Sequence, residues 1–196
     1  MKIKYSEKKD KEFFNEVNKM GKQLSPIFGF EFSKIKFDKR TVPIAKIMTK
    51  VKIDFINEKK MKEVIKGIYG KEPPELTIYI NTTPFSSWSV EEKYITISYT
   101  RNTFDKFFST YCHEHNHFMY DVTFGTRKYE DTEIKETLTV LNNAFGVEDK
   151  GFPKFSIQRK AVLNFYNKNK DLKKTVEYIK SINEHFEEYK LEKKKF

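Results

Sequence analysis

The sequence predicts an α+β fold, with a small mixed sheet in its N-terminal half and helices in its C-terminal half. Short alternating apolar runs occur before residue 100, whereas from residue 101 apolar residues recur every three or four positions. The chain of 196 residues also contains no internal repeat and no Pro/Gly/Ser-rich linker. We therefore expect residues 1–196 to form one domain, with a helix and sheet part over 1–100 and a helical part over 101–196.

The first elements are a helix and two less regular segments. Ser6 can accept a backbone hydrogen bond at the start of a helix near 7–23, where apolar residues have helical spacing. Apolar residues alternate over 30–37, which predicts a strand with an irregularity. The segment 44–56 alternates at its end like a strand but also repeats every three or four residues like a helix, so both interpretations stay open.

The centre of the chain has clearer signals. Asn57 can cap a helix over about 58–69, and Gly70 is a suitable residue to end that helix. The Pro73-Pro74 pair then interrupts the chain. Two strands with alternating apolar residues follow, at 76–80 and 94–99. The segment between them, 82–92, is predicted as a loop or a wide hairpin.

The second half is predicted to be helical throughout. Asn102 or Thr103 can cap the first of its helices, which Gly125 ends. Gly146 is the C-terminal stop of the next helix. That helix spans about 131–145. Two more helices are predicted, one over about 154–168 and one from Asp171 onward.

The basic charge of the chain has a simple interpretation. Lys and Arg number 38 against 28 Asp and Glu, for a net charge of +10. Arginine, which specific phosphate and base contacts favour, occurs only at Arg40, Arg101, Arg127 and Arg159. The lysines are spread along every predicted element and mixed with glutamate, which is typical of a solvated surface. Nucleic-acid binding is therefore a minor alternative.

The sequence also bears on where the protein acts. No run approaches the roughly 18 apolar residues that a membrane span needs, so we expect no membrane partner. The first residues are basic but lack the apolar core of a secretory signal. Cys112 is the single cysteine, which excludes an internal disulfide and fits a reducing compartment. We expect a cytoplasmic protein.

The segment 111–118 carries the chemistry, since it contains three of the four histidines. Within it, His113, Glu114 and His117 match the pattern His-Glu-x-x-His. Positions four apart lie on one face of a helix, so both imidazoles can bind one metal ion. Glu114 can then reach a water molecule bound to the metal and take its proton. Zinc lowers the pKa of such a water towards about 7.

A further glutamate follows His117 after eighteen residues, at Glu136. This spacing resembles that of zincin-type metallopeptidases of the gluzincin branch. The resemblance, which covers roughly residues 94–145, implies a zinc cofactor held by His113, His117 and Glu136, with Glu114 as the catalytic general base. It also implies the fold of a minimal zincin-like domain, in which a small twisted mixed sheet lies above the motif helix. The edge strand of that sheet would bind an extended peptide or protein substrate along the cleft, and 94–99 is the candidate for it.

The chain departs from that family at two places near the third ligand. Lys135 stands where the family has an asparagine, and Val140 stands where thermolysin-like members keep an aspartate that supports a histidine. No Gly-x-Met-Glu-Asn segment occurs, so recognition of a free amine is not carried over. Endopeptidase or exopeptidase action and the oligomeric state stay open.

Other residues compete for roles at the metal. Glu133 is a rival third ligand because it lies closer to the apolar face of its helix, and Asp121 is a second rival. His115 points away and is expected to be packed, although on a strand all three histidines would share one face. Cys112 is expected to be buried rather than a ligand.

A zinc peptidase also needs a donor for the developing oxyanion. Tyr178 and His185, seven residues apart on the last helix, are our candidates, with Tyr129 and Tyr166 as further ones. The sequence therefore predicts a zinc-dependent hydrolase, a small metallopeptidase. The alternative is a zinc-bound zincin-like module that binds a peptide or protein partner without catalysis.

Overall fold

A computed structural model of the chain describes residues 2–28, 32–52, 56–99, 104–127 and 130–193. Within these ranges it confirms the α+β class. The strands and α-helices are β1 (Lys2–Lys4), α1 (Glu7–Phe28), α2 (Val42–Lys52), α3 (Glu58–Tyr69), β2 (Thr77–Asn81), β3 (Ser87–Ser89), β4 (Tyr94–Ser98), α4 (Phe104–Phe124), α5 (Thr132–Leu138), α6 (Ser156–Asn169) and α7 (Leu172–Lys193). Short 3-10 helices lie at Lys39–Thr41, Thr139–Phe145 and Pro153–Phe155. No helix in the described ranges is long and apolar enough to cross a membrane.

The sheet has the strand order β1-β2-β4-β3. Strand β2 is parallel to both β1 and β4, so of the two alternatives for 82–92, a loop or a wide hairpin, the hairpin is wrong. The reversal occurs instead within the segment predicted as a loop, where β3 pairs antiparallel with β4 and Trp88 lies opposite Ile95. Side chains of Asn81 and Thr83 both donate to the carbonyl of Phe85, and these bonds hold the chain in the turn that leads into β3.

The edge of the sheet near α4 is β3. We predicted 94–99 as the edge strand, and this is wrong, because β4 lies between β2 and β3 and all five of its residues are buried. Strand β3 has only three residues, and Trp88 is its buried member. A short strand without strong alternation gives no clear sequence signal, which is why β3 was predicted as loop.

Two segments of the N-terminal half clarify the weaker predictions. The strand predicted over 30–37 is wrong for residues 32–37, while 30 and 31 lie outside the described residues. The amide side chain of Asn18 in α1 donates to the carbonyl of Ile35 and accepts from its N–H at 2.8 and 2.9 Å, so α1 occupies the groups that a neighbouring strand would use. The open segment 44–56 is helical as far as Lys52, while 53–55 lie outside the described residues.

Helix boundaries follow the capping signals. The Asn57 side chain accepts from the N–H of Lys60 at 2.8 Å, and Gly70 ends α3 with φ +69°. Gly125 and Gly146 also have positive φ where α4 and the 3-10 helix Thr139–Phe145 end. The helix predicted over 131–145 is therefore α5 followed by that 3-10 helix. The proposed caps Asn102 and Thr103 lie outside the described residues.

Helix α4 runs through the interior of the molecule. It contacts the sheet through β3 and β4, and it contacts α3, α5 and the 3-10 helix on its other sides. Tyr111, Cys112, Phe118 and Met119 are each at most 2% exposed. This packing fixes the rotation of α4 and turns the face that carries His113 and His117 towards α5.

Candidate metal centre

Three predicted ligands converge between α4 and α5. The Nε2 atom of His113 lies 3.4 Å from Oε2 of Glu136, and Nε2 of His117 lies 3.3 Å from Oε1 of the same carboxylate. One ligand atom from each residue lies within 4.8 Å of the other two. The two histidines are one helical turn apart, and α5 brings Glu136 across from them. This group of three, which we call the His-His-Glu group, could hold a metal ion.

The electrostatics of the group favour a cation. Burial by itself raises the pKa of Glu136, but the two imidazoles outweigh burial and hold that pKa well below its usual range. Burial lowers the pKa of His113, yet Asp149 and Glu136 raise it well above the usual histidine value. For His117, burial is the larger effect and lowers the pKa despite Glu136. A buried carboxylate here therefore requires positive charge, which a proton or a metal ion supplies.

The donor set fits zinc. Two histidine nitrogens and one carboxylate oxygen are the ligands of many catalytic zinc sites, which leave a fourth position open. Oε2 of Glu136 is buried and has no hydrogen-bond partner among the described residues. A buried oxygen of this kind normally has a partner, and a metal ion held between it and the facing imidazole nitrogen would supply one.

Asp149 supports His113 from behind, and sequence reasoning missed it. Its Oδ2 atom lies 2.9 Å from Nδ1 of His113, which leaves Nε2 directed towards Glu136. A carboxylate in this position fixes the tautomer and orientation of a metal-binding imidazole. The position that we compared with the family's supporting aspartate holds Val140, whereas the structure brings in Asp149 from the loop after Gly146. No local spacing links residues 113 and 149.

Arg159 donates hydrogen bonds to both Glu136 and Asp149. This arginine of α6 is 3% exposed. One guanidinium nitrogen donates to the backbone carbonyl of Glu136 at 2.6 Å, and another donates to Oδ1 of Asp149 at 2.8 Å. Gly151 lies against it, with φ +55°, and a Cβ atom there would come within 2.5 Å of the guanidinium carbon. Arg159 therefore connects the backbone of Glu136, the carboxylate behind His113 and the loop beside them.

Glu114 lies in the same cleft as the His-His-Glu group. The cleft has a volume of about 590 Å³, and its lining includes Glu114 as well as the three possible ligands. Glu114 is 6% exposed. Glu114 follows His113 on α4 and lines the same cleft as the three possible ligands, which is consistent with the sequence pattern.

The rival ligands lie elsewhere. Glu133 is partly exposed and forms an ion pair with Lys154 at 3.6 Å. Asp121 accepts from the indole N–H of Trp88 at 2.7 Å and pairs with the buried ammonium of Lys135 at 2.5 Å. Neither belongs to the His-His-Glu group.

His115 and Cys112 have structural surroundings. His115 is 1% exposed, and its ring lies 4.5 Å from that of Tyr111. Burial lowers its pKa to about 3, so the imidazole is neutral. Cys112 is completely buried, as predicted. Because 113–117 are helical, the alternative in which three histidines share one face of a strand is wrong.

The described tyrosine candidates for the oxyanion donor lie outside the cleft. The ring of Tyr178 stacks on Phe165 at 4.3 Å, and the hydroxyl of Tyr166 donates to the carbonyl of Gly67. Neither tyrosine lines the cleft within the described part of the chain. Tyr129 and the side chain of His185 lie outside the described residues.

Trp88 is a second residue that sequence reasoning missed. Its ring lies 4.6 Å from the ring of His117 at an interplanar angle of 35°. Its indole N–H is held by Asp121, which also pairs with Lys135. Trp88 thereby links the edge strand β3 to the second histidine. It is the only tryptophan in the sequence, and this rarity is the one sequence feature that could have drawn attention to it.

Likeness to known proteins does not assign this site. No protein-family model matches the chain, and searches of curated proteins and of solved structures find no match either. Its chemistry is therefore inferred from the residues themselves, which are two imidazoles, one ligand carboxylate, a neighbouring glutamate and the groups that hold them in place.

Proposed function

We propose that this protein is a zinc-dependent hydrolase, a metallopeptidase that cleaves peptide bonds. The observation that carries the proposal is the convergence of His113, His117 and Glu136 within 4.8 Å, in a cleft that Glu114 also lines. The family resemblance of the motif supports the same function. The supporting carboxylate of Asp149 adds a feature that metal-binding histidines generally have.

The three ligands would hold zinc through nitrogen and carboxylate oxygen atoms, with Asp149 orienting His113. When bound, zinc supplies Lewis-acid chemistry, in which it polarises a carbonyl and makes water more acidic. The ligand side chains are mostly buried, at 15%, 2% and 8% exposure for His113, His117 and Glu136, so little solvent competes for them. Arg159 limits how far Glu136 and Asp149 can move apart.

Glu114 would be the general base and then the general acid. A carboxylate oxygen of Glu114 takes a proton from water as the water oxygen bonds to the peptide carbonyl carbon. The same carboxyl group passes that proton to the amide nitrogen as the carbon–nitrogen bond breaks. The products are a carboxylic acid and an amine.

Strand β3 is a suitable place for an extended peptide to bind. It is the last strand of the sheet at this side, and Ser87 and Trp88 line the cleft. An edge strand offers backbone donors and acceptors that a peptide can pair with. The peptide backbone would then run beside His117, which contacts Trp88.

The decisive experiment is the Glu114→Gln variant of the zinc-loaded protein. We expect about one zinc ion per chain, and hydrolysis of a peptide library reduced by at least about a hundredfold, because the base is lost while the ligands stay. The matched control is Glu133→Gln, which removes the charge of a partly exposed carboxylate on α5 and should keep both zinc and activity. Unchanged hydrolysis in Glu114→Gln would exclude the mechanism.

Metal assays on His113→Ala and Glu136→Ala test the ligand set independently of activity. Both variants should lose zinc in equilibrium dialysis against a weak chelator. Retention of zinc by Glu136→Ala would show that another group is the third ligand.

One observation favours the alternative, a zinc-bound module that binds peptides without cleaving them. Neither of the described tyrosines that could donate to an oxyanion lies in the cleft. Such a module would bind peptides tightly at full zinc occupancy and release no new amines. A fluorogenic peptide library, read beside a binding titration, separates the two functions.

A further inference from the structure

We propose that the cleft selects peptides that present a bulky apolar side chain towards α1, which acts as the specificity wall. This proposal rests on the proposed peptidase function and adds the class of substrate. It depends on the residues of α1 that line the cleft and on the charges at its rim.

One face of α1 borders the cleft over two turns. Phe13, Glu16, Val17 and Met20 line it, at the three- and four-residue spacing of a single helical face, and Glu16 is the one charged residue among these four. Phe13 is 3% exposed and its ring lies 5.7 Å from that of Tyr94, so it forms the base of this wall. Val17 and Met20 are half-buried and present apolar surface to the cleft.

The wall has the length of a short peptide segment. Phe13 and Met20 are seven positions apart, which corresponds to about 10.5 Å along a helix axis. An extended peptide covers that distance with about three residues, and their side chains alternate in direction. A peptide paired with β3 would therefore direct at least one side chain of such a segment towards α1.

The position of α1 is fixed by a buried carboxylate. Asp10, which is 1% exposed, accepts from the backbone N–H and the hydroxyl of Thr82 at 2.9 and 2.8 Å. Thr82 directly follows β2, so these bonds tie α1 to the sheet. A fixed wall can select by shape and polarity without having to be ordered by the ligand.

The rest of the cleft lining contains further apolar residues and charged residues of both signs. Phe108, Val147 and Phe152 are among the lining residues. Apart from the His-His-Glu group, Glu114 and Asp149, the charged lining residues are three lysines and two glutamates, namely Lys60, Lys106, Lys150, Glu16 and Glu148. With the signs mixed, the rim provides little selection for substrate charge, and burial of apolar surface is the stronger source of selectivity.

The test measures peptide binding to zinc-loaded Glu114→Gln protein, so that turnover does not interfere. The probes are heptapeptides of Gly, Ser and Ala with a single Leu, Phe, Asp or Lys at each internal position in turn. We expect Leu and Phe peptides to bind at least about tenfold more tightly than Asp and Lys peptides at one or two positions, from burial of one large side chain.

Variants of the wall should remove this preference. Val17→Asp should reduce the advantage of Leu and Phe peptides to less than about threefold, since it places a charge where the side chain would be buried. Asn15→Asp is the matched control, because it adds the same charge at an exposed position of α1 and should leave the preference unchanged. Should Val17→Asp fail to fold, Val17→Thr keeps the side-chain shape and should reduce the preference by a smaller factor.

The outcomes separate this proposal from the proposed function. Hydrolysis by the wild-type protein without any preference for apolar residues would overturn the specificity wall and leave the peptidase function intact. Preferential binding of apolar peptides without hydrolysis by the wild-type protein would support the wall and contradict the peptidase function. A preference that survives in both Val17 variants would place selection elsewhere and overturn the proposal.

Discussion

At the scale of single residues, Asp149 is the group on which the orientation of His113 depends. It is buried, its pKa is lowered by His113 and Arg159 although burial opposes this, and it contacts Nδ1 of His113 at 2.9 Å. Its carboxylate also accepts from the side chain of Asn142 and the N–H of Gly151. These bonds leave it little freedom to turn away from the imidazole.

We predict that Asp149→Asn lowers zinc affinity by about 10–100-fold, because an amide supports an imidazole less well than a carboxylate does. Competition with a chromophoric chelator measures the change. The control is Asp38→Asn, which alters an exposed aspartate paired with Arg40 and should leave zinc affinity unchanged. Equal affinity in Asp149→Asn would mean that the contact does not position His113.

Arg159 leads to a prediction on the stability of the fold. Its guanidinium donates to Glu136, Thr139 and Asp149, and no lysine can reproduce that forked arrangement. Arg159→Met should destabilise the fold by about 3–5 kcal/mol in urea unfolding, because a buried carboxylate loses its charged partner. Arg159→Lys should recover less than half of that loss. Full recovery would contradict the importance of the fork.

At the scale of elements, the contact between α3 and the 3-10 helix Thr139–Phe145 requires a glycine. A Cβ atom on Gly67 would lie 2.2 Å from Cε1 of Phe145, and the hydroxyl of Tyr166 bonds to the Gly67 carbonyl. The 3-10 helix follows directly after α5, which carries Glu136. Close packing here therefore holds the C-terminal side of α5 against the rest of the molecule.

Gly67→Ala should lower the free energy of unfolding, although alanine favours a helix by about 1 kcal/mol, because overpacking costs about 1–3 kcal/mol. Phe145→Leu in the same chain makes room and should reverse part of the loss. Urea titrations of the single and double variants give the coupling. Additive effects would show that the two positions do not meet.

Elements also show how far prediction from sequence reached. Helices with clear periodicity and end signals, such as α3, were predicted almost to the residue. The strand predicted over 30–37 is wrong for residues 32–37, and the hairpin alternative for 82–92 is wrong, because both depended on which partner the backbone would find. The side chain of Asn18 bonds to the backbone N–H and carbonyl of Ile35, where a neighbouring strand would otherwise bond. Strand β2 pairs with β4 in parallel rather than antiparallel orientation. Pairing over long separations leaves little trace in local periodicity.

At the scale of the whole molecule, zinc should stabilise the fold, since the ligands come from α4 and α5 and meet only when the chain is folded. With free zinc at a hundred times its Kd, the gain is about 2.7 kcal/mol, which corresponds to a rise in Tm of about 5–10 °C. Calorimetry with zinc and with a chelator measures it. The Glu136→Ala protein should show no such rise, and a rise there would point to zinc bound elsewhere.

The net charge of +10 calls for a separate prediction. Many lysines of the described surface pair with glutamates, among them Lys9 with Glu92 and Lys66 with Glu72. We therefore expect no binding of duplex or single-stranded nucleic acid in a filter assay at low salt. Tight binding that weakens steeply with salt would instead support the minor alternative.

The sequence alone determined the local part of this protein. It determined the α+β class, most helices and the face of α4 that carries His113, Glu114 and His117, because helix periodicity and the i, i+4 relation act within one element. The spacing from His117 also indicated Glu136. Which of Glu133 and Glu136 faces the two histidines depended on how α5 is rotated in the fold.

Tertiary structure decided the rest. It brought Asp149 to His113 over 36 positions, placed Arg159 between Asp149 and Glu136, made β3 the edge strand and set α1 along the cleft. These relations join residues that are far apart in the chain, and each depends on how whole elements pack. The His-His-Glu pattern was therefore readable from the sequence, while the positions of Asp149, Arg159, β3 and α1 around it were not.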